Sequence, residues 1–269
     1  MYEQYWGLSE KPFENTPDPK FLYRSETTEE VFARLFYVLQ GNRGAALLTG
    51  ESGCGKTLVA RTLVQELDPN RTEVALLTHP CRNPEELLQE LLFQLGEDNP
   101  LEGRSNIEHR LQEVLYENYS AGKQTVAVVD EGQLLENNQH LEEIRLLLNY
   151  QLNDAFLLTL LLVGQPMLSK RIQEYTPLDQ RVATRGVVKP LTQAEAHQYV
   201  AHRLQVAGRS EPIFEPGAID LVYAYAEGIP RRINNICDIA LVVGFSRKLT
   251  SIAQEWMERF IQLERGNGA

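Results

Sequence analysis

The sequence predicts an α/β protein, a P-loop core with a parallel five-stranded sheet followed by a small all-α domain. Apolar runs of strand length alternate with segments of helical periodicity up to about residue 190. The first of these runs leads straight into a glycine-rich loop, and beyond Leu191 only helical patterns follow. Alternating β and α segments with nearly continuous apolar strands imply a parallel sheet covered on both faces. The expected division is therefore 1–190 for the α/β domain and 191–269 for the helical one.

Residues 1–24 are rich in aromatics and prolines, among them Tyr5, Trp6, Phe13, Pro17, Pro19, Phe21 and Tyr23, and predict an irregular segment packed onto a domain. A helix follows over 27–40, with Thr27 or Thr28 as its cap and Val31, Leu35 and Val38 on its apolar face. Strand 44–49 leads into the loop and its helix, and Glu73 to Thr78 forms a second strand. Leu87, Leu88, Leu91, Leu92 and Leu95 mark a helix at 84–95, and Ile107, Leu111, Val114 and Leu115 mark one at 105–121. Gln124 to Val129 is the third strand. Leu141, Ile144, Leu148 and Leu152 recur at helical spacing over 137–152, a stripe expected to pack in the core. Phe156 to Val163 is the fourth strand and Gly186 to Val188 a short fifth. Thr192 with Glu195 three residues on makes a capping box, and further helices fall at 216–226, 230–247 and 251–263.

With 269 residues, 43% of them hydrophobic and 23% charged, the composition is that of an ordinary globular protein. No apolar run approaches the roughly 20 residues that span a bilayer. The start, Met1-Tyr2-Glu3-Gln4-Tyr5-Trp6, has neither the basic nor the apolar region of a secretory signal. Cys54, Cys81 and Cys237 are widely spaced, which suits a reducing cytoplasm better than a disulfide framework. Net charge is −11, and residues 1–190 hold 18 basic against 28 acidic side chains. Bulk charge therefore lends no support to non-specific nucleic-acid binding, which needs a basic surface.

The chemistry centres on Gly50-Glu51-Ser52-Gly53-Cys54-Gly55-Lys56-Thr57, which fits G-x-x-x-x-G-K-[ST], with Leu58 opening the helix behind it. Glycines let successive backbone N–H groups turn inward, and the helix N-terminus favours an anion. Lys56 is then placed for the β- and γ-phosphates and the Thr57 hydroxyl for Mg²⁺. Cys54 is a tolerated variable position of the loop, without a catalytic role. Val126 to Val129 end in Asp130-Glu131, a Walker B pattern. Asp130 would support the metal at the C-terminal edge of the sheet, and Glu131 would orient and polarise the attacking water. Gln165, at the end of the fourth strand, is placed to bond the γ-phosphate or that water. Arg181 and Arg185 precede the fifth strand, and an arginine there can reach a neighbouring subunit's nucleotide; Arg181 is favoured, though spacing does not separate the two. Gly228-Ile229-Pro230-Arg231-Arg232 opens a helix in the second domain, and Arg231 is placed to lean over the nucleotide. The five histidines show no metal-ligand spacing.

Taken in order, these motifs resemble those of AAA+ ATPases. Met1-Tyr2-Glu3, Phe13, Thr16-Pro17-Asp18-Pro19 and Phe21-Leu22-Tyr23 are similar to the opening of one branch, the ExeA/general secretion pathway protein A family. Ile229-Pro230-Arg231-Arg232-Ile233-Asn234-Asn235-Ile236-Cys237-Asp238 is similar to its lid signature, and the resemblance runs from about residue 1 to 263. It implies an AAA+ core with a helical lid, ATP and Mg²⁺ binding, slow hydrolysis, and homo-oligomeric rings or filaments with sites between subunits. It also implies that residues near Phe13 to Tyr23 wall the adenine. Relatives commonly carry an Asn before proline that restrains the catalytic glutamate, where this chain has His79-Pro80.

The function expected is a cytoplasmic ATPase, with peripheral association at the inner membrane, that assembles or remodels a secretion- or pilus-type protein complex. Transposon target-selection ATPases share the same core, so a DNA-associated regulator that forms ATP-dependent filaments or rings on DNA is the alternative. Arg231-Arg232 and Arg247-Lys248 are the residues that favour it. A nucleotide-binding scaffold with little turnover is a third reading.

Overall fold

A computed structural model describes residues 2–78, 83–135 and 137–267. In chain order the elements are α1 (Glu3–Trp6), α2 (Glu26–Gln40), β1 (Ala45–Gly50), α3 (Lys56–Gln65), β2 (Thr72–Leu77), α4 (Pro84–Gln94), α5 (Arg104–Ser120), β3 (Gln124–Val129), α6 (Asn138–Leu147), β4 (Thr159–Gly164), α7 (Pro166–Glu174), α8 (Thr176–Asp179), β5 (Val182–Val188), α9 (Gln193–Val206), α10 (Pro216–Ala226), α11 (Pro230–Ser246) and α12 (Gln254–Asn267). Single 3-10 turns occupy Pro19–Phe21 and Gly132–Leu134. They form two compact units: Glu26–Ser52 with Lys56–Val188, and Met1–Ser25 with Gly53–Gly55 and Lys189–Ala269.

The first unit is built on a five-stranded sheet in the order β2-β3-β4-β1-β5, every neighbouring pair parallel. Every residue of β1 and β4 is buried. Burying a leucine side chain is worth about 1.5–3 kcal/mol, so these strands have no competing place at a surface. Leu47, Leu160 and Leu162 meet Leu87, Leu91, Ile107, Leu111 and Ile144 in one continuous core. On the β5 side α2 lies so close that a Cβ on Gly186 would stand 2.5 Å from Val31 Cγ1. Because β4 lies between β1 and β3, the C-terminal ends of these three strands are consecutive along one edge.

Several boundaries differ from the sequence expectations. α2 begins at Glu26, so Thr27 and Thr28 lie in its first turn and not at its cap. The helix expected over 137–152 ends at Leu147. Gln151 pairs with Phe156 as an antiparallel bridge, and Leu152 is 36% exposed, outside the core stripe assigned to it. The helical period of the leucines ran on past the point where the backbone turns back. β4 starts at Thr159 and β5 at Val182, so Arg185 lies inside β5 and does not precede it. α7 and α8 were not foreseen; each has a proline in its first turn, a good helix start but also a common mark of a turn.

The second unit is all helical, and the N-terminal segment belongs to it, not to the α/β unit as the sequence division had it. The reason lies in its aromatics. Trp6 and Phe13 are buried with Val200, Phe214, Ile233 and Leu241 in a single core. The Trp6 indole Nε1 donates to the Leu241 carbonyl at 2.9 Å, and Tyr2 donates its hydroxyl to Asp238. Arg203 is 2% exposed: its Nε donates to the Pro12 carbonyl, its Nη2 to the Glu14 carbonyl at 2.7 Å, and its guanidinium lies 4.2 Å from the centre of the Phe21 ring. Burial lowers the pKa of this group, and the carbonyls and the ring face replace the water it has lost. Phe13 and Phe21 are thus consumed by packing inside this unit. The Thr192–Glu195 capping box opens α9 with both reciprocal bonds formed.

Two consequences can be measured. Trp6→Ala empties a buried indole site and should cost about 3–5 kcal/mol in urea unfolding. His202 lies beside Tyr23, ring centres 5.9 Å apart, and has a buried Nε2 with no partner among the described residues. Burial first, and the Arg203 cation second, lower its pKa. The unfolded chain then takes up the proton more readily than the folded one, so stability should fall as pH drops through the ordinary histidine range. His202→Gln should flatten that part of the unfolding-versus-pH curve.

Candidate functional site

β1 runs into the loop Gly50–Thr57, and α3 starts at Lys56. Gly50 has to be glycine because the neighbouring strand is too near: a Cβ there would lie 2.3 Å from the Val188 carbonyl oxygen. Gly53 and Gly55 take φ of 85° and 97°, a left-handed backbone that side chains disfavour. A Cβ on Gly55 would meet nothing within 4 Å, so the loop faces open space at that point. Glu51 and Ser52 are exposed, Cys54 is buried, and Leu58 is half-buried in the first turn of α3.

Lys56 is buried, and its Nζ donates to the Glu51 carbonyl at 3.0 Å, which stretches the ammonium across its own loop. Thr57 Oγ1 donates to Asp130 Oδ2 at 2.6 Å. The two motifs therefore touch, although 73 positions separate them in sequence. Asp130 is buried at the end of β3, its N–H donating to the Leu77 carbonyl at 2.9 Å. Its other carboxylate oxygen accepts the Glu131 N–H at 2.8 Å. Because the Thr57 proton points at Asp130, the hydroxyl lone pairs remain available to a cation. A hydroxyl beside a carboxylate is the hard-oxygen donor set that Mg²⁺ favours.

Glu131 is exposed and takes the left-handed conformation, φ 52° and ψ 32°. The chain then makes the 3-10 turn Gly132–Leu134. Gln133 Nε2 donates to the Glu131 carboxylate, and Gln133 Oε1 accepts the Gln165 N–H at 3.0 Å. Gln165 is half-buried at the start of α7, and its side chain makes no hydrogen bond among the described residues. From α7, Arg171 Nη1 donates to the carbonyls of Gln133 and Leu135 at 3.1 and 2.9 Å. Gln133 and Arg171 escaped the sequence reading. The only trace of Gln133 was a polar residue soon after an acidic pair, and Arg171 looks like any arginine of a solvated helix.

The arginines stand elsewhere. Arg181 directly precedes β5 and donates to the Leu148 carbonyl at 3.3 Å. Its neighbour Val182 pairs with Ala45, the first residue of β1, so Arg181 is at the opposite edge of the sheet from Gly50. Strands of this length span roughly 20 Å, beyond the reach of an arginine toward its own loop. Arg185 is tied to Asp179 at 2.6 Å. In the helical unit, the Arg231 N–H donates to the Gly53 carbonyl at 3.2 Å, and a Cβ on Gly53 would stand 2.9 Å from Arg231 Cβ. Gly53–Gly55 belong to the same unit as Arg231, so this contact lies inside the helical unit, whereas Arg232 pairs with Glu227. His79 and Pro80 lie outside the described residues.

The strand order, the glycine loop at the end of β1 and the acidic pair at the end of β3 define a P-loop protein of the AAA+ class. Residues 39–172 match the family model described as AAA domain. The sequence is 42% identical over 251 residues to general secretion pathway protein A of Aeromonas hydrophila. This match covers 92% of the chain and 45% of that relative, so the chain spans just under half the relative's length. Among solved structures, the Aeropyrum pernix ORC2 protein in ADPNP–ADP complexes superposes with a TM-score of 0.73 at 16% identity, over 93% of this chain and 71% of that one. The Aeropyrum pernix ORC1 protein in complex with DNA gives 0.71 at 17% identity, over 95% and 71%. At these identities the structural likeness is one of fold. Residues 39–172 thus carry an AAA domain, and the chain resembles general secretion pathway protein A over nearly all of its own length.

The packing around Gly50 yields a test. Gly50→Ala drives a methyl group into a backbone carbonyl and should cost about 1–3 kcal/mol in urea unfolding, with β1 and β5 forced apart.

Proposed function

We propose that this chain is an oligomeric, Mg²⁺-dependent ATPase that couples ATP binding and slow, assembly-dependent hydrolysis to the assembly or remodelling of a secretion- or pilus-type protein complex. The observation that carries the reading is the 2.6 Å contact between Thr57 and Asp130, which unites the phosphate loop with the acidic pair. Loop N–H groups from Glu51 to Thr57 and the start of α3 would bind the phosphates, and Lys56 would leave the Glu51 carbonyl for the β- and γ-phosphates. Thr57 would hold the metal directly and Asp130 would support it. When bound, Mg²⁺ supplies charge neutralisation on the phosphate oxygens. Glu131 would orient the attacking water and draw off its proton. Gln165, half-buried beside this edge, would bond the γ-phosphate or that water.

Arg181 would act on the nucleotide of a neighbouring copy, since it stands at the far edge of the sheet from its own loop. Arg231 would lean over the nucleotide and report its presence to the helical domain. The protein partner is inferred from the relative's designation, and a cytoplasmic protein peripheral to the inner membrane suits that role. Among the described residues no helix is long and apolar enough to cross a membrane. The DNA-associated reading draws on Arg247 and Lys248, both exposed, while Arg232 is paired with Glu227.

Phosphate release and nucleotide binding test the reading together. Lys56→Ala should abolish binding or turnover; full turnover in that variant would refute the loop assignment. Glu131→Gln should keep ATP bound and cut hydrolysis by about 10²-fold or more, of the order expected for losing a general base. A salt titration with DNA, with and without a non-hydrolysable ATP analogue, separates the partners. No binding at low salt supports the protein-assembly role, and ATP-dependent binding that weakens steeply with salt transfers it to DNA.

A further inference from the structure

We infer that Gln133 is a positioning residue for hydrolysis, holding the Glu131 carboxylate in place and tying it to the start of α7. The inference rests on the reading of Glu131 as the group that orients the water.

Both ends of the Gln133 amide are in use. Nε2 donates to the Glu131 carboxylate, and Oε1 accepts the Gln165 N–H at 3.0 Å. A carboxylate only accepts and a backbone N–H only donates, so the bridging group has to present a donor on one side and an acceptor on the other. Among uncharged side chains of this length, glutamine meets that demand. Its neutrality matters too. A lysine or arginine at 133 would neutralise the negative charge that a water-orienting carboxylate needs, whereas an amide fixes one oxygen and leaves the charge intact.

The seat of this side chain is shaped by missing atoms. A Cβ on Gly164 would stand 3.0 Å from Gln133 Oε1, 3.2 Å from its backbone nitrogen and 2.8 Å from Leu168 Cδ2. A Cβ on Gly132 would meet Leu168 Cδ2 at 2.8 Å and the Val163 carbonyl at 3.1 Å. The turn can therefore lie directly against β4 and the start of α7. Arg171 then holds the backbone from outside through the Gln133 and Leu135 carbonyls. The Leu134 N–H closes the turn on the Glu131 carbonyl at 2.9 Å. Glu131 is itself in a left-handed conformation, uncommon for a residue with a Cβ, and such geometry persists only where its surroundings enforce it. Together these contacts join the acidic residue after β3 to the residue after β4, so that Glu131 and Gln165 are held as one unit.

The experiment compares wild type with Gln133→Met, Gln133→Glu and Glu131→Gln as full-length chains, at protein concentrations high enough to saturate turnover. Gln133→Met keeps the length and removes both hydrogen bonds. It should lower kcat by about 10- to 100-fold, the scale of a misplaced reacting group, while KM for ATP, affinity for a non-hydrolysable analogue and Tm stay near wild type. Gln133→Glu keeps the acceptor toward Gln165 but replaces the donor by a second carboxylate beside Glu131, so its kcat should fall at least as far as that of Gln133→Met, again with KM for ATP and Tm near wild type. A purely structural role would lower Tm and would not separate kcat from KM. Wild-type kcat in either variant, or a loss of kcat matched by a loss of Tm, overturns the inference. If Glu131→Gln hydrolyses ATP normally, or wild type has no turnover at all, the parent reading fails instead.

Discussion

The hydrogen bond from Thr57 to Asp130 is the interaction on which the site depends. Its two residues sit behind strands that are not neighbours, because β4 lies between β1 and β3. With strands about 4.8 Å apart, the ends of β1 and β3 are roughly 10 Å from each other. A hydroxyl and a carboxylate meet across that gap because α3 packs over β1 and β4 and carries Thr57 toward the end of β3. Strand order, helix direction and the length of the loop all have to be right for that one 2.6 Å contact to form. This edge is where the chain reverses its order of strand addition and leaves a crevice, the place where open α/β sheets receive ligands.

Around this contact the α/β unit uses two kinds of constraint. One is apolar and general: strands buried on both faces make slippage costly, since every residue of β1 and β4 is enclosed. The other is polar and local. Asp130 accepts from Thr57 and the Glu131 N–H, Gln133 links Glu131 to Gln165, and Arg171 holds the intervening carbonyls. Burial fixes the sheet without regard to which polar groups stand at its ends, and the hydrogen bonds then set their orientation. Glycines at 50, 132 and 164 let the two systems approach each other closely.

The helical unit follows a different logic. Its core is completed by the start of the chain, whose Trp6 and Phe13 enter it from a sequence distance of about 200 residues. A buried cation, Arg203, is stabilised by two backbone carbonyls of that segment and by the ring of Phe21. Removing any of these groups would leave an unsatisfied guanidinium inside the unit, which is far more costly than losing a surface ion pair. The N-terminal segment is thus structural in this unit.

What could be read along the chain was whatever depends on neighbours in sequence. Apolar runs marked the strands, the Thr192–Glu195 pair marked the start of α9, and the glycine-rich stretch marked the loop between β1 and α3, because period, capping and turn chemistry are local properties. Periodicity failed where a distant contact ended a helix: nothing near Leu148 signals that the chain turns back through Gln151 and Phe156. Tertiary structure alone decided that residues 1–25 join the helices, that Arg181 stands at the far end of β1 from its own loop, and that Gln133 and Arg171 brace the acidic pair. Those outcomes depend on which strands become neighbours and which carbonyls are left facing an arginine, and both are properties of three-dimensional packing rather than of spacing along the chain.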